Sequence, residues 1–529
     1  MRLLQVIDVG TNSVRSIVVE IPVGGPYRVV DDERDMTRLG EGLELSGLMT
    51  EEAMARTLSA ISTMWRIGSR LGVEQVRAIA TEAVRRASNG VSFVARVRKE
   101  LGLELEVVSA EEEGRLVWLS ASVLATHAGL AVAVDVGGGS VEVVQAIGLE
   151  PVAISSMRLG ARVLTERYIH EDPVSDESFK HLKRHVRHTI RSKVAPLASV
   201  TSPLIGSGGT INSIASVIAG LRGRRYDSLQ GVEIARAEVM QLLGVLSRST
   251  AEERLKLPGM PADRVDIIVP GAVVLAELIK RFGAPGIIVN ASGIREGIVV
   301  DTLAREGTAD IKPDLTRSVA DLGARYHFDR EHALQVTRLA LSLFDQLAGP
   351  LGIDRATRPF LEAAAMLHDI GYYIAYDRHH EHSYHLIAHS PLPGLTRREQ
   401  EMVASIARYH TKALPKLRHI AWSSLEPADR PVVRALAAIL RLADGLDRGR
   451  AARVEEVEAV VEPDQVRLVL HGAPDMQPEL YGVEKKRDLF EEAFGRRVTV
   501  EADAAVARDR GAAGLSDQLQ GGSGGHERA

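Results

Sequence analysis

The sequence predicts an α/β chain of two related halves, followed by an all-α domain and a small α+β domain. Three observations carry this. The octapeptide DVGTNSVR at residues 8–15 returns as DVGGGSVE at residues 135–142, each copy flanked by short apolar runs that read as strands. After the polar stretch EGTADIKP at 306–313 the pattern turns helical. Strand-like runs come back beyond Arg453.

Composition sets limits on what such a chain does. With 529 residues it has length for roughly three or four cores. Apolar residues make up 45% and charged residues 26%, the balance of a globular protein in water. There is no cysteine, so structural disulfides and thiolate metal sites are excluded and any metal must sit on His, Asp or Glu. The N-terminus, MRLLQVIDVG, lacks the apolar core of a signal peptide, and no apolar run is long enough to cross a bilayer. A cytoplasmic protein without a membrane partner is expected. The formal charge of −5 argues against nucleic-acid coating, so a polyanionic substrate needs locally gathered positive charge.

The first half, residues 1–123, opens with strand, turn and strand around Asp8-Val9-Gly10-Thr11-Asn12-Ser13. Thr50 caps a helix with Met54, Leu58, Ile61 and Trp65 on one face. A strand at 76–80 leads to Arg85, an arginine just past a strand end and well placed to reach a cleft, although a solvated arginine is the commoner case. A strand at 105–108 precedes Ser109 to Arg115, where Ser109 and Glu112 fit a capping box. Glu111 serves the helix dipole. Glu113 points about 100° away from Glu112 and needs another explanation: glutamates at a helix start more often serve only the dipole, and the sharper reading is a carboxylate that orients and deprotonates a water beside bound phosphate.

The second half, residues 124–305, is organised by the stretch 131–144. Asp135 ends one strand, Gly137, Gly138 and Gly139 make the turn, and Glu142 starts the return strand. Bare glycine amides can approach an anion, and flanking carboxylates suit a hard divalent metal. The copies differ at their eighth position: Arg15 suits a phosphate oxygen, Glu142 a metal. Lys180, Lys183, Arg184, Arg187 and Arg191 share one helix face, a solvated stripe in the usual case and a track for a long polyanion in the sharper one. Gly206-Ser207-Gly208-Gly209-Thr210 opens a helix whose free amides can bind anions. A further loop, 290–297, follows a strand at 286–289 and feeds a helix expected from Ile298.

The helical domain spans 314–450 and holds His332, the pair His368-Asp369, Asp444 and further histidines including His379 and His410. His332, His368, Asp369 and Asp444 lie on separate predicted helices, the adjacent pair aside. Bundled helices can aim such groups at one ion, with Mn, Fe, Zn and Mg all open. Residues 454–501 read as two strands, a helix at 484–494 and a last strand; residues 503–529 read as a disordered tail.

Six stretches then point to a family: DVGTNSVR at Asp8, ATEAVRRASNG at Ala80, VSAEEEGRL at Val108, VDVGGGSVE at Val134, GSGGT at Gly206 and ASGIREG at Ala291. In this order the chain resembles the exopolyphosphatase / guanosine pentaphosphate phosphohydrolase family. The resemblance implies two ribonuclease H-like domains of the actin-like ATPase kind, followed by an HD-type helical domain. It implies Glu113 as catalytic base and Asp135 and Glu142 as Mg²⁺ carboxylates. Asp8, Thr11, Asn12, Ser13, Arg15, Arg85 and Gly137 to Ser140 match its phosphate-facing groups. The leading expectation is an exopolyphosphatase releasing terminal phosphate from inorganic polyphosphate. The alternatives are a guanosine pentaphosphate 5′-phosphohydrolase, or an alarmone-binding regulator with a separately active HD phosphohydrolase domain. A homodimer is implied too. Ala110 and Arg86 depart from the family pattern without removing a proposed catalytic group.

Overall fold

The first octapeptide forms the tip of an antiparallel hairpin of β1 (Arg2–Val9) and β2 (Val14–Ile21), with Asp8 opposite Arg15. β3 (Arg28–Asp35), β4 (Gln75–Ala80) and β5 (Leu105–Val107) complete a five-stranded sheet in the order β3-β2-β1-β4-β5. β3 was not expected. Its sequence, RVVDDERD, shows no alternation because it is an edge strand exposed on both faces, and its charges protect that edge.

The second octapeptide forms the same tip between β6 (Leu130–Val136) and β7 (Val141–Ile147), with Asp135 opposite Glu142. β8 (Glu150–Met157), β9 (Leu204–Ser207), β10 (Glu233–Ala235) and β11 (Gly286–Val289) extend it to six strands, ordered β10-β11-β9-β6-β7-β8. The strands at the two tips are apolar and buried, so the polar tip residues are carried on rigid supports.

The computed structural model describes residues 2–21, 27–125, 129–148, 150–198, 200–224, 226, 228–306, 315–390, 392 and 394–503. Most of the expected linker and nearly all of the expected tail lie outside them. The chain forms two units, Met1–Pro313 and Asp314–Ala529. Among the described residues no helix is long and apolar enough to cross a membrane.

Two helices tie the first unit together. Ala110–Ala121 starts where Ser109 accepts from the Glu112 amide, as its sequence suggests. The box is only half made, because the Glu112 carboxylate grips Arg115 with two hydrogen bonds of 2.7 Å each. Leu116 on this helix packs with Leu4, Ile17 and Ile79 of the first sheet, while Trp118 and Ala121 pack with Ala133 and Val144 of the second. Ile294–Arg305 begins four residues earlier than expected and sends Ile298, Val299 and Leu303 into the first sheet's core. Elsewhere Thr50 caps Glu51–Leu71 as expected, accepting from the Ala53 amide at 3.2 Å.

The second unit packs the helices Leu315–Arg325, Arg330–Leu351, Arg358–Leu367, His379–His389, Arg397–Arg408 and Arg430–Gly445. Its sheet has β12 (Val454–Val461) antiparallel to β13 (Gln465–Gly472), which runs parallel to β14 (Arg497–Ala502). The expected single helix before β14 is two, Gln477–Lys486 and Asp488–Phe494, because the crossover between parallel strands turns at Arg487. Val457, Leu468, Leu470 and Phe490 share one hydrophobic core with Leu339, Phe344 and Leu440, so a single core runs through helices and strands.

Candidate functional site

Both hairpin tips of the first unit are held in the same way. The carbonyls of Gly137, Gly138 and Gly139 accept from the amides of Ala161, Arg162 and Gly160 at 2.9, 3.0 and 3.1 Å. The carbonyls of Thr11 and Asn12 accept from Gly40 and Arg38 at 2.9 and 3.0 Å. Peptide N–H and C=O groups point in opposite directions, so engaging the carbonyls turns the amides of the following residues the other way. A Cβ at Gly40 would lie 2.3 Å from Thr11 Cγ2, and one at Gly160 would lie 2.3 Å from the Gly138 carbonyl. Both glycines let a second segment press onto a tip, but at different places in the repeat: Gly40 bonds Thr11 as Arg162 bonds Gly138, and Gly160 bonds Gly139 as Arg38 bonds Asn12.

The tips meet. Gly138 packs on Asn12 and Gly139 on Thr11, with virtual Cβ distances of 3.0 Å to Asn12 Cβ and 2.5 Å to Thr11 Oγ1. Thr11, Asn12, Ser13 and Ser140 are buried. The loop after β9 closes the third side: Gly208 lies against Asp135, and Gly209 at the N-terminus of the helix Gly209–Leu221 lies against the Arg264 guanidinium. The residues expected to face phosphate therefore surround one place.

Glu113 is the buried carboxylate of its helix, whereas Glu111 is exposed and Glu112 is half-buried. Arg85 fixes it with a 3.0 Å hydrogen bond, and also donates to the Val108 carbonyl and Glu82 at 2.8 Å each. Burial raises the Glu113 carboxyl to about 7, with Arg85 opposing and the charges of Asp8 and Asp135 adding. Burial likewise raises Asp8 to about 6, against Arg15 and Arg295. Asp135 is raised by burial despite a 3.2 Å hydrogen bond from Ser207, and Glu142 is raised by burial together with Glu113 and Asp135. This gathering of oxygens, with Asp8 Oδ1 buried and without a hydrogen-bond partner, fits a hard divalent cation.

Sequence reasoning missed part of the positive wall. Arg264 is buried, its Nε has no hydrogen-bond partner, and burial with Arg34 and Arg15 nearby lowers it to about 10. Nothing in its local sequence signals this; only the fold brings it to Gly209. Arg295 lies in the ASGIREG stretch without an assigned role. It donates to the Ser16 carbonyl at 3.0 Å and Asp32 at 2.6 Å. Burial opposes its charge, but Glu296, Asp32 and Asp8 together hold it above the usual value.

In the second unit His332, His368, Asp369 and Asp444 come together as expected, and His379 and His410 join them. The donors come from helix ends: His332 in a first turn, His379 opening a helix, Asp444 in a last turn, and His368, Asp369 and His410 just past C-termini. Each imidazole is anchored through Nδ1. His368 and His410 bond the carbonyls of Ala365 and Ala407 at 2.7 Å, His379 that of Tyr376 at 3.1 Å, and His332 the Asp447 carboxylate at 2.7 Å. Their Nε2 atoms are thereby turned inward, the arrangement metal-binding histidines use. Asp369 shows Oδ2 to His332 and His368 at 3.7 and 3.6 Å, and Oδ1 to His379 and His410 at 3.5 and 3.4 Å. Nε2 of His332 and of His368 is buried without a hydrogen-bond partner, so these residues fit a divalent cation of mixed N/O preference. Lys486 pairs with Asp444, and Arg450 with Asp369 at 2.6 Å. Neither cation was foreseen.

Known proteins are similar to this chain. A curated guanosine-5'-triphosphate,3'-diphosphate pyrophosphatase of Pseudoalteromonas translucida (strain TAC 125) is 26% identical over 417 residues, 78% of this chain and 81% of that protein. The crystal structure of the Ppx/GppA family member of Aquifex aeolicus has a TM-score of 0.51 and 26% identity, over 58% of this chain and 99% of that one. An exopolyphosphatase from Cytophaga hutchinsonii ATCC 33406 has a TM-score of 0.53 and 25% identity, over 59% and 100%. The paired sheets of the first unit are the actin-like fold of these structures. The Ppx/GppA phosphatase family profile matches residues 17–306, and that of Ppx/GppA phosphatase, domain III, matches residues 316–477. With more than half of its length covered by the first profile, the chain belongs to the Ppx/GppA phosphatase family.

Proposed function

We propose that the first unit removes the terminal 5′-phosphate of guanosine pentaphosphate by water attack, with Glu113 as the base. The sequence alone put inorganic polyphosphate first; the curated relative, matched over most of both chains, moves the nucleotide ahead. The observation that carries the chemistry is the Glu113 carboxylate, buried, held by Arg85 at 3.0 Å and close enough to feel the charges of Asp8 and Asp135 on the two tips. Its proton affinity near neutrality suits a group that must take a proton and give it up again.

Glu113 receives a proton from water as the water oxygen bonds to the terminal phosphorus. The bond from phosphorus to the bridging oxygen breaks, and guanosine tetraphosphate leaves with that oxygen's charge. Arg15 and Arg264, with the amides of the tip turns, hold the phosphoryl oxygens, so donors are in place before charge develops. Asp135 and Glu142, with Asp8 beside them, would hold Mg²⁺, which neutralises charge on the transferred phosphoryl group when bound. In the second unit, His332, His368, Asp369 and Asp444 would hold a second divalent cation, with His379 and His410 extending the donor set.

Polyphosphate hydrolysis is the second reading. It is favoured by Lys180, Arg184 and Arg191, exposed on the helix Asp176–Lys193. Arg187 is tied to Glu277 at 2.9 Å and has a structural partner instead. Phosphate release from guanosine pentaphosphate and from long polyphosphate, measured in parallel with Mg²⁺, separates the readings. Faster turnover of polyphosphate would reverse their order. Glu113→Gln lowers kcat on the preferred substrate by about 10²–10⁴-fold; a variant at the wild-type rate on both would remove Glu113 as the base.

A further inference from the structure

The helix that supplies Arg85 is only five residues long, Glu82–Arg86. So short a helix has no stability of its own, and its place is set by what its side chains hold. Three of them are charged, and each holds something different. Glu82 lies against the second tip, its Cγ 3.0 Å from where a Cβ on Gly139 would stand. Arg85 holds Glu113 at 3.0 Å. Arg86, one of the two departures from the family pattern, donates to Glu44 at 3.0 Å.

Glu44 then reaches across to the second half of the unit. Its carboxylate also accepts from Arg158 at 2.6 Å. Arg158 follows the last residue of β8 and stands two residues before Gly160, whose amide holds the Gly139 carbonyl at 3.1 Å. One carboxylate therefore ties the helix of Arg85 to the segment that clamps the second tip. An exposed ion pair contributes little, but the Glu44 side chain is only 15% exposed and is shared by two guanidiniums. Other pairs join the two halves, Arg34 with Asp263 and Arg295 with Asp32, without engaging Glu82–Arg86.

We infer that Glu44 is a positioning residue for phosphate release: through Arg86 and Arg158 it sets the distance between the Glu113 carboxylate and the phosphoryl group held at the second tip. It acts through Arg85 and takes no proton itself. The inference rests on Glu113 as the base. The two arms act in series, because Arg86 and Arg158 are joined through one carboxylate, so cutting either frees the helix from the tip. A displacement on the order of 1 Å costs up to about 10²-fold in rate.

The test is a double-variant cycle read in kcat for phosphate release with Mg²⁺, with urea midpoints alongside. Glu44→Gln, Arg86→Gln and Arg158→Gln should each lower kcat by about tenfold and change KM by less than about twofold, since the groups that hold phosphate are untouched. Arg86→Gln with Arg158→Gln should lose no more than the worse single variant, because a link cut once is already cut. A product of the two losses, about 10²-fold, would overturn the joint, because independent pairs multiply. Lower urea midpoints at unchanged kcat would overturn it too, as the mark of a purely structural contact. A second readout needs no turnover. The chain has no cysteine, so Val91→Cys and Ile147→Cys, at exposed positions in the first and second halves, give a unique pair for spin labels. Glu44→Gln should broaden the distribution of distances between the labels, and an unchanged distribution would overturn the inference. If Glu113→Gln keeps the wild-type rate, the base assignment falls and takes the kinetic role of Glu44 with it, whereas the label distances still decide the joint.

Discussion

Burial acts on the two clusters in opposite directions. In the first unit it raises the carboxyls of Glu113, Asp8, Asp135 and Glu142, so enclosure favours their protonated forms. In the second it lowers His379, His410 and His368, the last to about 4, so enclosure clears their protons and leaves ring lone pairs free. One physical cause thus prepares two kinds of site. The all-oxygen cleft needs positive charge to be discharged, from Arg15, Arg85 and a hard cation. The imidazole cluster is poised to donate to a softer one. The difference predicts which metal each takes.

The largest effect tests that division. Asp135→Asn should reduce Mg²⁺-dependent phosphate release by about 10²-fold or more, since the metal's share of transition-state stabilisation is several kcal/mol. It should leave co-purified transition metal in place. His368→Ala should cut that bound metal to background. Elemental analysis of both variants, with phosphate-release rates for Asp135→Asn, checks the pair. The comparison breaks if Asp135→Asn strips the transition metal, or if His368→Ala retains it.

Proton affinity gives the next effect. Glu113 must be ionised to accept a proton, and its carboxyl sits at about 7. Phosphate release should therefore fall about tenfold per pH unit below that value and level off above it. Stability runs the other way. The folded carboxyl holds its proton more tightly than the ordinary value of 4.5, so its stabilising contribution is intact below 4.5 and is lost as pH rises through about 7. Urea midpoints taken between those pH values should fall less steeply in Glu113→Gln than in the wild-type chain. A steeper fall in the variant would mean that the carboxyl is not raised.

How far the sequence reveals these clusters depends on what positions each group. The hairpin tips are local objects, so the octapeptide repeat discloses Asp8, Arg15, Asp135 and Glu142, and their registers in the two sheets are identical. Ser109 discloses the helix start and thereby the distinct direction of Glu113. Arg264 is invisible because its role comes from burial against Gly209, a neighbour far away in the chain. β3 escapes because an exposed edge strand has no hydrophobic period. In the second unit His332, His368, Asp369 and Asp444 stand out by their places on separate helices. His379 and His410 do not, because sequence cannot tell which histidines have Nδ1 held by a carbonyl and Nε2 turned inward.

The smallest effect compares how each cluster is anchored to its helix. Ser109 accepts from the Glu112 amide at 3.1 Å one residue before Glu113, and Asp329 accepts from the amide of His332 itself at 3.2 Å. Removing an N-cap side chain costs about 1 kcal/mol. Ser109→Ala should lower stability by about that amount. Asp329→Ala should cost somewhat more, because Asp329 also accepts from Arg450 at 2.9 Å, which in turn reaches Asp369. Urea midpoints of the two variants measure the costs, and Mn²⁺ titration of Asp329→Ala reads the extra coupling. If Asp329→Ala costs no more than Ser109→Ala and leaves Mn²⁺ affinity unchanged, the cap, Arg450 and the cluster are not linked, and the two helix starts are equivalent supports.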